Sequence, residues 1–513
     1  MKQVLTLLLL LCTLALSAQT HDLSPLFGNN GSVQLDTWSG NEVAKAHVLQ
    51  PDGKLLIAGT GYWSSPNSFR VSMARIDTAC GVLDDGFSND GLLNIHFEQR
   101  TICHDMALQA DGKIIVCGVT APSNGVSGHK PSLFRLLPNG EVDSSFNQTG
   151  HHKSSFDPIS SGALWKCFVL ADGRITCVGA STNNINGGVN AIGAQRFLAD
   201  GTLDPSFDGD GKVVIPMSGT GHTAHTGIGT GLLQPDGKVI AIDLMSNGAD
   251  VVIGMARFNT DGSPDPSFGT NGLALSTVIS DNGVGEAGIG AVRLGDGRIV
   301  VSSIAPVEGF LMARFLPNGA LDTSYGTNGV STVVPASGSI GRDMHLLPDG
   351  ATLQFGAMNW NNGPPCVVKR LADGSPDTTF GTNGVQTIAT GTLPTFEKAW
   401  GGLALPSGRI LAYGETGGGV GGQMLVTRIT SDPAAEHFVD LGDDVDLCPE
   451  DSVVLDAGPG ASWSWSDGST DQTLVVDTAA FVQVTVVDQN GCTDSDLLEV
   501  VLLPGPAVPV IVQ

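Results

Sequence analysis

A pattern of two tight turns that occurs seven times constrains the fold of this chain more than any other feature. The first turn of each copy ends in a glycine, and these glycines are Gly53, Gly112, Gly173, Gly237, Gly297, Gly350 and Gly408. The intervals between them are 59, 61, 64, 60, 53 and 58 residues. Self-similarity at such a period predicts an array of small units, either stacked or arranged in a ring.

Each copy predicts a small antiparallel sheet. In the copy at 233–278, Pro235-Asp236-Gly237 suits a hairpin turn, because proline presets φ and glycine adopts the left-handed conformation. Strands are predicted at 239–242, 251–258 and 273–278, with Asp261-Gly262 as the second turn. A single unit leaves a hydrophobic face uncovered, so each copy needs neighbours.

The two ends of the array predict how it closes. The seventh copy runs through Arg428 but lacks the Ser-Phe-Gly-x-x-Gly tail of earlier copies, whereas Leu23 to Gly31 matches that tail without a preceding first half. Strand exchange between the ends would close a ring and remove the exposed sheet edge. We therefore expect an all-β chain with a seven-bladed β-propeller at 19–434, closed by an N-terminal strand.

The flanking segments predict export and a second domain. A charged start followed by Leu5 to Leu16 is typical of a secretory signal peptide, assigned to 1–18. No later apolar run is long enough to cross a bilayer, so we expect a protein that is secreted or held at the cell surface. We also expect it to be a monomer. Residues 435–503 predict a small β-sandwich, and 504–513 a linker or truncated end. Its strands are expected at 439–441, 452–455, 461–465, 472–476 and 481–487.

Composition agrees with an all-β chain and argues against one class of partner. The 69 glycines and 27 prolines are typical of a turn-rich protein. The formal net charge is −26, and every charged residue from Glu436 onward is acidic. Such a surface repels phosphate backbones, so nucleic acid is not an expected partner.

The cysteines allow a disulfide because export permits oxidation. Cys448 and Cys492 flank the compact tail, and we predict that they pair. Cys167 and Cys177 are placed to face each other across a hairpin, either as a bond or as two small apolar residues. The sequence leaves Cys80, Cys103, Cys117 and Cys366 unassigned. No CxxC or histidine-rich spacing occurs, so no zinc site is expected.

An arginine recurs in each copy, and six of these are followed by an aspartate. One hypothesis is a ring of anion-binding arginines. The favoured interpretation is an Arg–carboxylate pair inside each unit. The predicted pairs are Arg75–Asp84, Arg135–Asp143, Arg196–Asp204, Arg257–Asp265, Arg314–Asp322 and Arg370–Asp377, while Arg428 would meet Ser24.

Candidate binding residues lie in the loops that differ among copies, because uniform turns occupy one end of each sheet and varied loops the other. Aromatic rings there suit stacking on sugars. The candidates are Tyr62, Trp63, His151, His152, His222, His225 and Trp360. Asp208-Gly209-Asp210-Gly211 raises a calcium hypothesis, although Asp-Gly is also ordinary turn chemistry. Glu286, Glu308 and Glu397 are the carboxylates considered for sugar chemistry, and no catalytic constellation is identified.

The repeated units, such as LQPDGKVIAID and MARFNTDGSPDPSFGTNG, resemble the delta-sixty repeat of exported bacterial proteins. The tail, with Cys448-Pro449-Glu450-Asp451 and Asn490-Gly491-Cys492, is similar to immunoglobulin-like or PKD-like modules of Bacteroidetes surface proteins. The resemblance implies a secreted or cell-surface protein, often carried by the type IX system, and implies no defined activity.

Two functions follow as hypotheses. The first is a non-enzymatic propeller that binds glycan or surface protein through its varied-loop face, in adhesion or cell-surface assembly. The alternative is a polysaccharide hydrolase or lyase at the mouth of the propeller channel. An enzyme should bring two carboxylates or a histidine pair to within about 10 Å at that mouth.

Overall fold

The structure is a computed structural model. It describes residues 22–23, 27–29, 31–37, 41–64, 67–123, 128–156, 161–182, 191–217, 220–224, 229–247, 251–280, 289–304, 309–336, 339–358, 364–388, 396–416, 422–430, 439–442, 444–448, 451–488 and 491–502. The predicted signal peptide at 1–18 and the predicted end at 504–513 lie outside these residues. Within them, no helix is long and apolar enough to cross a membrane.

The regular secondary structure is almost all β-strand, and the one helical segment among the described residues is the 3₁₀ turn Phe146–Gln148. The strands that precede the first repeat are β1 (Asp22–Leu23) and β2 (Ser32–Leu35). Repeat 1 contains β3 (Asn41–Leu49), β4 (Lys54–Ser64), β5 (Asn67–Asp77) and β6 (Leu92–Ile95). Repeat 2 contains β7 (Arg100–Leu108), β8 (Ile114–Ala121), β9 (Lys130–Leu136) and β10 (His151–Lys153). Repeat 3 contains β11 (Ser161–Val169), β12 (Ile175–Thr182), β13 (Ala191–Phe197) and β14 (Lys212–Pro216).

The later strands follow the same order. Repeat 4 contains β15 (Thr223–Ala224), β16 (Thr230–Leu233), β17 (Val239–Ser246), β18 (Val251–Phe258) and β19 (Leu273–Ser280), and repeat 5 contains β20 (Ala291–Arg293), β21 (Ile299–Ile304), β22 (Phe310–Phe315) and β23 (Val330–Val333). Repeat 6 contains β24 (Ile340–Leu346), β25 (Thr352–Ala357), β26 (Pro365–Arg370) and β27 (Val385–Thr387). Repeat 7 contains β28 (Phe396–Ala404), β29 (Ile410–Thr416) and β30 (Met424–Thr430). The tail contains β31 (Val445–Leu447), β32 (Val453–Asp456), β33 (Ser462–Trp465), β34 (Thr473–Val476), β35 (Ala480–Val487) and β36 (Thr493–Leu502).

Within each repeat the strands pair antiparallel in chain order, as the turn pattern predicts, except that β15 and β16 both pair with β17 in repeat 4. The turn between β16 and β17 illustrates the cause, because Gly237 has a φ of +83° and Asp236 Oδ1 accepts a hydrogen bond from the Lys238 amide at 3.2 Å. The predicted strand at 251–258 is confirmed, and the one at 239–242 extends to Ser246. The chain therefore has an all-β architecture of propeller repeats.

The hydrophobic core lies between neighbouring repeats. Ile240 and Met255 of repeat 4, for example, share one buried cluster with Val301 and Leu311 of repeat 5. Repeats 7 and 1 share a cluster in the same way, and it includes Phe27 and Leu35 from the segment before repeat 1. Each sheet therefore covers the apolar face of the next one, which satisfies the need of an isolated unit for neighbours.

The first two strands pair with the last repeat. Ser32 to Leu35 pair antiparallel with Met424 to Thr427, and Asp22 and Leu23 pair with Thr430 and Ile429. The Ser32 and Thr427 hydroxyls lie 3.2 Å apart in the buried interior. The edge of repeat 7 is consequently hydrogen-bonded to the segment that precedes repeat 1.

Five of the predicted Arg–Asp pairs are present. Each arginine Nε contacts its aspartate, in the pairs Arg75–Asp84 at 2.5 Å, Arg135–Asp143 at 2.8 Å, Arg196–Asp204 at 2.7 Å, Arg257–Asp265 at 2.9 Å and Arg314–Asp322 at 2.7 Å. The same guanidinium groups donate to carbonyl oxygens of the following repeat, on Pro138, Ala199, Thr260, Pro317 and Ala372. These arginines therefore join each repeat to the next.

The predicted pair Arg370–Asp377 is wrong. Asp377 pairs with Lys369 at 2.9 Å, and Arg370 lies on the opposite face of β26, fully buried. Arg370 donates to Ser331 Oγ at 3.0 Å and Gln354 Oε1 at 2.9 Å. Side chains alternate between the faces of a strand, so a shift of one residue exchanges an ion pair for a core position.

Arg428 joins repeat 7 to repeat 1. Its Nη1 donates to the Thr78 carbonyl oxygen at 2.9 Å, and its guanidinium carbon lies 5.0 Å from the centre of the Phe27 ring. Phe27 thus fills the aromatic position that Phe207 fills beneath Arg196 in repeat 3. Ser24, its expected partner, lies outside the described residues.

The tail has its own sheets and core. One sheet has the order β31-β36-β35-β33, β32 pairs with β34, and a buried cluster including Leu455, Trp465 and Val484 lies between them. The strand predicted at 439–441 is wrong. The Val439 amide instead donates to the Asp494 carboxylate at 3.0 Å, and the nearby strand is β31.

The predicted disulfide Cys448–Cys492 is also wrong. Cys492 bonds to Cys80 in the turn after β5, across a sequence separation of 412 residues, and Cys448 is an exposed free thiol. Spacing within the tail could not show this partner, because it lies in repeat 1. The bond attaches the tail to a turn beside the paired ends of the repeat array, since the Cys80 carbonyl oxygen accepts from the Gly28 amide at 2.8 Å.

Candidate functional site

All seven repeats contribute to one small cavity, which we call the axial cavity. In several repeats the first strand contains a β-bulge, an extra residue that has no partner on the neighbouring strand. The extra residues include Lys45, His104, Trp165 and Trp400. The cavity is lined by Lys45, Ala46, His47, His104, Asp105, Trp165, Lys166, Gly229, Thr230, Ile289, Asp343, Trp400 and Tyr413. It therefore lies where the first strands of the repeats converge.

The charges of the axial cavity are centred on Lys166. Its ammonium lies 2.9 Å from Asp105 Oδ1. Although burial opposes the charge, the carboxylates of Asp105 and Asp343 raise the pKa of Lys166, so it remains protonated. A Cβ on Gly290 or Gly401 would lie within 3.0 Å of the Asp343 carboxylate, so these two glycines leave the space that it occupies.

The remaining polar groups form a chain across the cavity. The Tyr413 hydroxyl is hydrogen-bonded to Asp343 and lies 3.2 Å from His47 Nδ1. Burial, followed by the charge of Lys166, lowers the pKa of His47 to about 3, and burial lowers that of His104 to about 4. Burial and the Asp343 charge raise the pKa of Tyr413 well above its usual range. Neither imidazole nor the phenol is therefore tuned toward the neutral pKa of an efficient general base.

The axial cavity is too small for a sugar. Its volume is about 100 Å³, whereas ligand pockets are typically about 300–1,000 Å³. Trp400 lines the cavity, with the Lys45 ammonium 2.8 Å and the Arg342 guanidinium 3.7 Å from its ring centre. Asp105 and Asp343 both line the cavity, and the charges of both act on Lys166. The geometry favours a structural plug over a catalytic centre.

A second cluster lies at the varied-loop end of repeat 1, and we call it the hairpin patch. It consists of Tyr62, Trp63, Phe69, Arg70 and Arg100. Both strands of the hairpin β4–β5 have eleven residues, and the first four of these side chains lie near its tip, whereas Arg100 begins β7. Tyr62 packs on Phe69 with ring centres 5.1 Å apart, and Arg70 and Arg100 each lie 4.5 Å from an aromatic ring, of Trp63 and Phe69 respectively.

The guanidinium of Arg70 distinguishes the patch from the arginines that join the repeats. Among the residues that the structure describes, Arg70 forms no ion pair, and its Nε has no hydrogen-bond partner. Burial and then the charge of Arg70 lower the pKa of His96. All five side chains of the patch are half-buried, so one face of each remains accessible. Tyr62 is paired with Phe69 and Trp63 with Ser68, so Trp63 and Arg70 share one face of the hairpin while Tyr62 and Phe69 share the other. The face with Trp63 and Arg70 can stack a ring and bind an anion at adjacent points.

The other candidates from the sequence do not form one site. His151 stacks on Phe97 at 4.3 Å and contacts Ser132 Oγ at 2.8 Å, while the adjacent His152 packs against Phe197. The two imidazoles point to opposite faces of β10, so they are not a metal-binding pair. His222 Nδ1 lies 3.0 Å from the Thr220 carbonyl oxygen within its own turn. His225, Trp360, Glu286, Glu308 and the side chain of Glu397 lie outside the described residues.

Residues 208–211 form a turn. Asp210 Oδ1 accepts from the Lys212 amide at 2.9 Å, which is the usual use of Asp-Gly sequences. Where the described residues bring three possible metal ligands together, they do so at two other places, Asp77–Cys80–Cys492 and Asp105–Cys117–Cys167. The calcium hypothesis at 208–211 therefore gains no support from the geometry.

A group of buried thiols lies beside the axial cavity. Cys167 and Cys177 are directly opposite each other on β11 and β12, as the hairpin predicts, and both are free, as are Cys103 and Cys117. Burial raises the pKa of Cys117 to about 12 and those of Cys103 and Cys177 well above the usual range, and a hydrogen bond with Cys117 together with burial does the same for Cys167, so all four are neutral thiols. Cys366 is also buried and free, in repeat 6.

A wide depression of about 1,150 Å³ lies at the turn end of repeats 1 to 3. Its charged side chains are already engaged in turns and ion pairs. Asp111, for example, accepts from the Lys113 amide and lies 3.3 Å from the Lys113 ammonium. Despite its size, this depression has no unengaged carboxylate or guanidinium of the kind found in the hairpin patch.

Sequence reasoning found Tyr62 and Trp63 but missed Phe69, Arg70 and Arg100. The unusually long apolar and aromatic run at 54–64 was a signal for a projecting hairpin. The axial cavity was missed because a bulge adds one residue without changing the pattern of turns.

The comparisons with known proteins agree with the repeat architecture. Five stretches match a family model described as "Domain of unknown function (DUF5122) beta-propeller", at residues 50–87, 109–146, 170–207, 234–268 and 294–325. These stretches fall in repeats 1 to 5 and contain the two turns of each. The chain is therefore a propeller-repeat protein. No curated protein matches the sequence significantly.

Several solved structures share remote similarity. Polysaccharide lyase Uly1 aligns with a TM-score of 0.44 and 12% identity, over 76% of this chain and 90% of the lyase. A Dyadobacter fermentans protein of unknown function gives 0.37 and 11%, over 78% and 98%. A Trypanosoma rangeli sialidase gives 0.38 and 8%, over 76% and 55%. Similarity this remote carries no argument about function.

Proposed function

We propose that the repeats form a closed, seven-bladed propeller whose ring is completed by the N-terminal strand. Three observations support this proposal: β2 pairs with β30, repeats 7 and 1 share a buried cluster, and every repeat contributes to the axial cavity. The proposal includes export, on the grounds of residues 1–18, and an immunoglobulin-like or PKD-like tail at 435–503 that acts as a spacer. The location is secreted or at the cell surface.

The function we propose is non-enzymatic binding of an acidic glycan at the hairpin patch. The observation that carries it is the Arg70 guanidinium, which lies on the Trp63 ring without a carboxylate partner among the described residues. Sugar rings stack on aromatic faces, and guanidinium groups bind carboxylates or sulfates through paired hydrogen bonds. Stacking and ion pairing at adjacent points favour a glycan that carries its charge on the ring.

The strongly acidic composition is compatible with this ligand. At physiological ionic strength the Debye length is about 8 Å, so exposed charges farther away are largely screened. Glu98, a carboxylate on the segment between β6 and β7, is already paired with Lys153. The charged residues of the hairpin patch itself are Arg70 and Arg100, both cationic, while the net charge of −26 disfavours non-specific adsorption of polyanions elsewhere.

The test is binding of the full chain to a polyuronate and to the same polymer after carboxyl reduction. We expect binding to the acidic polymer only. Arg70→Gln and Trp63→Ala should each weaken it about tenfold or more, because a hydrogen bond to a charged group contributes about 1.5–3 kcal/mol. Arg174→Gln is the matched control, since that arginine is paired with Asp172 on the turn end of repeat 3. Equal binding of both polymers, or unchanged binding by both patch variants, would refute the proposal.

The alternative of polysaccharide cleavage rests on Asp105, Asp343 and Tyr413 in the axial cavity, and the cavity volume opposes it. The same polymers should be assayed for new reducing ends and unsaturated products. Cleavage that is abolished by Tyr413→Phe would favour the enzyme hypothesis. A surface protein is the remaining partner class, and it would be favoured if patch variants lost cell-surface binding without any glycan affinity.

A further inference from the structure

The thiols beside the axial cavity come together with a carboxylate from a different strand. A carboxylate oxygen of Asp105, Cys117 Sγ and Cys167 Sγ all lie within 4.8 Å of one another. All three side chains are more than nine-tenths buried. The three residues lie on β7, β8 and β11, in two repeats, so they are far apart in the sequence and do not form a CxxC motif.

We propose that Asp105, Cys117 and Cys167 form a buried site for a zinc-class divalent cation. The spacing fits this chemistry. Zinc bonds of about 2.3 Å to sulfur and 2.0–2.2 Å to oxygen, at tetrahedral angles, separate the two ligand atoms by roughly 3.5–3.7 Å. Asp105 Oδ2 and Cys167 Sγ are 3.7 Å apart. Two thiolates and one carboxylate leave a fourth position, and Cys103 is a further buried sulfur beside Asp105.

The surroundings of the carboxylate orient it for this role. Asp105 Oδ1 contacts the Lys166 ammonium, which leaves Oδ2 directed toward the sulfur atoms, and the Cys167 amide donates to Oδ2 at 3.0 Å. Hydrogen bonds of this kind commonly fix metal-binding carboxylates. A divalent ion with two thiolates and one carboxylate has one net negative charge, which the Lys166 ammonium offsets. Buried charge is tolerated only when compensated in this way.

The site adjoins the axial cavity, because Asp105 and Lys166 also line that cavity. Binding would deprotonate both thiols and release protons, so affinity should rise with pH. This site lies apart from the hairpin patch, and its presence or absence does not bear on glycan binding.

The experiment is cobalt titration of the reduced, chelator-treated full chain, followed by zinc competition. We expect about one equivalent of cobalt with a thiolate-to-cobalt absorption band, displaced by zinc. Cys117→Ala and Asp105→Asn should each weaken cobalt binding at least tenfold. Cys366→Ala, which removes an equally buried thiol in repeat 6, should bind as the wild type does.

A second measurement uses the wild type alone, in case a variant does not fold. Zinc should raise the melting temperature of the chelated protein, while calcium and magnesium at the same concentration should not. The proposal is overturned by cobalt binding that persists in both ligand variants, by the lack of a thiolate band, or by a Cys117–Cys167 disulfide in the unreduced protein. Without a metal, the four thiols would be ordinary core residues.

Discussion

Phe27 provides the sharpest test of ring closure. Its side chain is fully buried and packs beneath Arg428, and a Cβ on Gly81 of repeat 1 would approach its ring to 3.1 Å. Replacing a buried phenylalanine by alanine costs about 3–5 kcal/mol. Unfolding entropy is about 2.1 cal/mol/K per residue, so over a ring of roughly 400 residues a loss of 4 kcal/mol lowers the melting temperature by ~5 °C. Calorimetry of Phe27→Ala in the full chain measures this change.

The repeats supply matched controls for this measurement. Phe207 occupies the same position in repeat 3 and is equally buried, so Phe207→Ala should lower the melting temperature by a similar amount. Phe481 is 67% exposed on the tail, and Phe481→Ala should have little effect. If Phe27→Ala behaves like the exposed control, the N-terminal segment does not complete the ring, and the closure proposal fails.

Further predictions concern the disulfide, acid stability and the buried arginine. Cys492→Ser should destabilise the protein by about 2–5 kcal/mol. Reductant should lower the melting temperature of the wild type to that of the variant, and a variant whose melting temperature still falls with reductant would contradict this prediction. Although burial opposes the charge, serine hydrogen bonds and the paired arginines lower the pKa values of Asp143, Asp204 and Asp322 to about 2. Their stabilisation is present above about pH 4 and lost as pH falls toward 2; a melting temperature unchanged across this window would refute the assignment. Arg370→Met should cost about 2 kcal/mol or more, because buried acceptors lose their donor, and thermal melts should find it more damaging than Lys369→Met.

Turn chemistry and strand alternation were sufficient to predict most of the repeat structure. The arginine positions show where that reasoning has a limit. In repeats 2 to 5 the paired arginine precedes the turn glycine by five residues, as Arg196 precedes Gly201, but Arg370 precedes Gly374 by four. Counting from the glycine selects Lys369, the observed partner. Arg370 was wrongly predicted as the partner because the residue type was matched instead of the spacing from the glycine. That spacing decides the face of the strand on which a side chain lies.

The candidate sites were less predictable, for two physical reasons. Lys45 and His104 reach the axial cavity through bulges, which depend on how neighbouring sheets pack and leave no mark in the turn pattern. The bond between Cys80 and Cys492 joins residues whose proximity depends on how the tail docks, and sequence spacing carries no information about it. Tyr62 and Trp63, in contrast, stood out because they belong to a local hairpin.

The pairing of β2 with β30 also sets the order of events during biosynthesis. Ser32 must wait for Thr427, so its strand has no partner until nearly all the repeats have been made. At about 5–20 residues per second, that delay is roughly 20–80 s. Throughout this interval both termini of the array present unsatisfied backbone groups that other chains can capture. A cell producing this protein therefore gains from keeping the nascent chain unfolded until its last repeat is available.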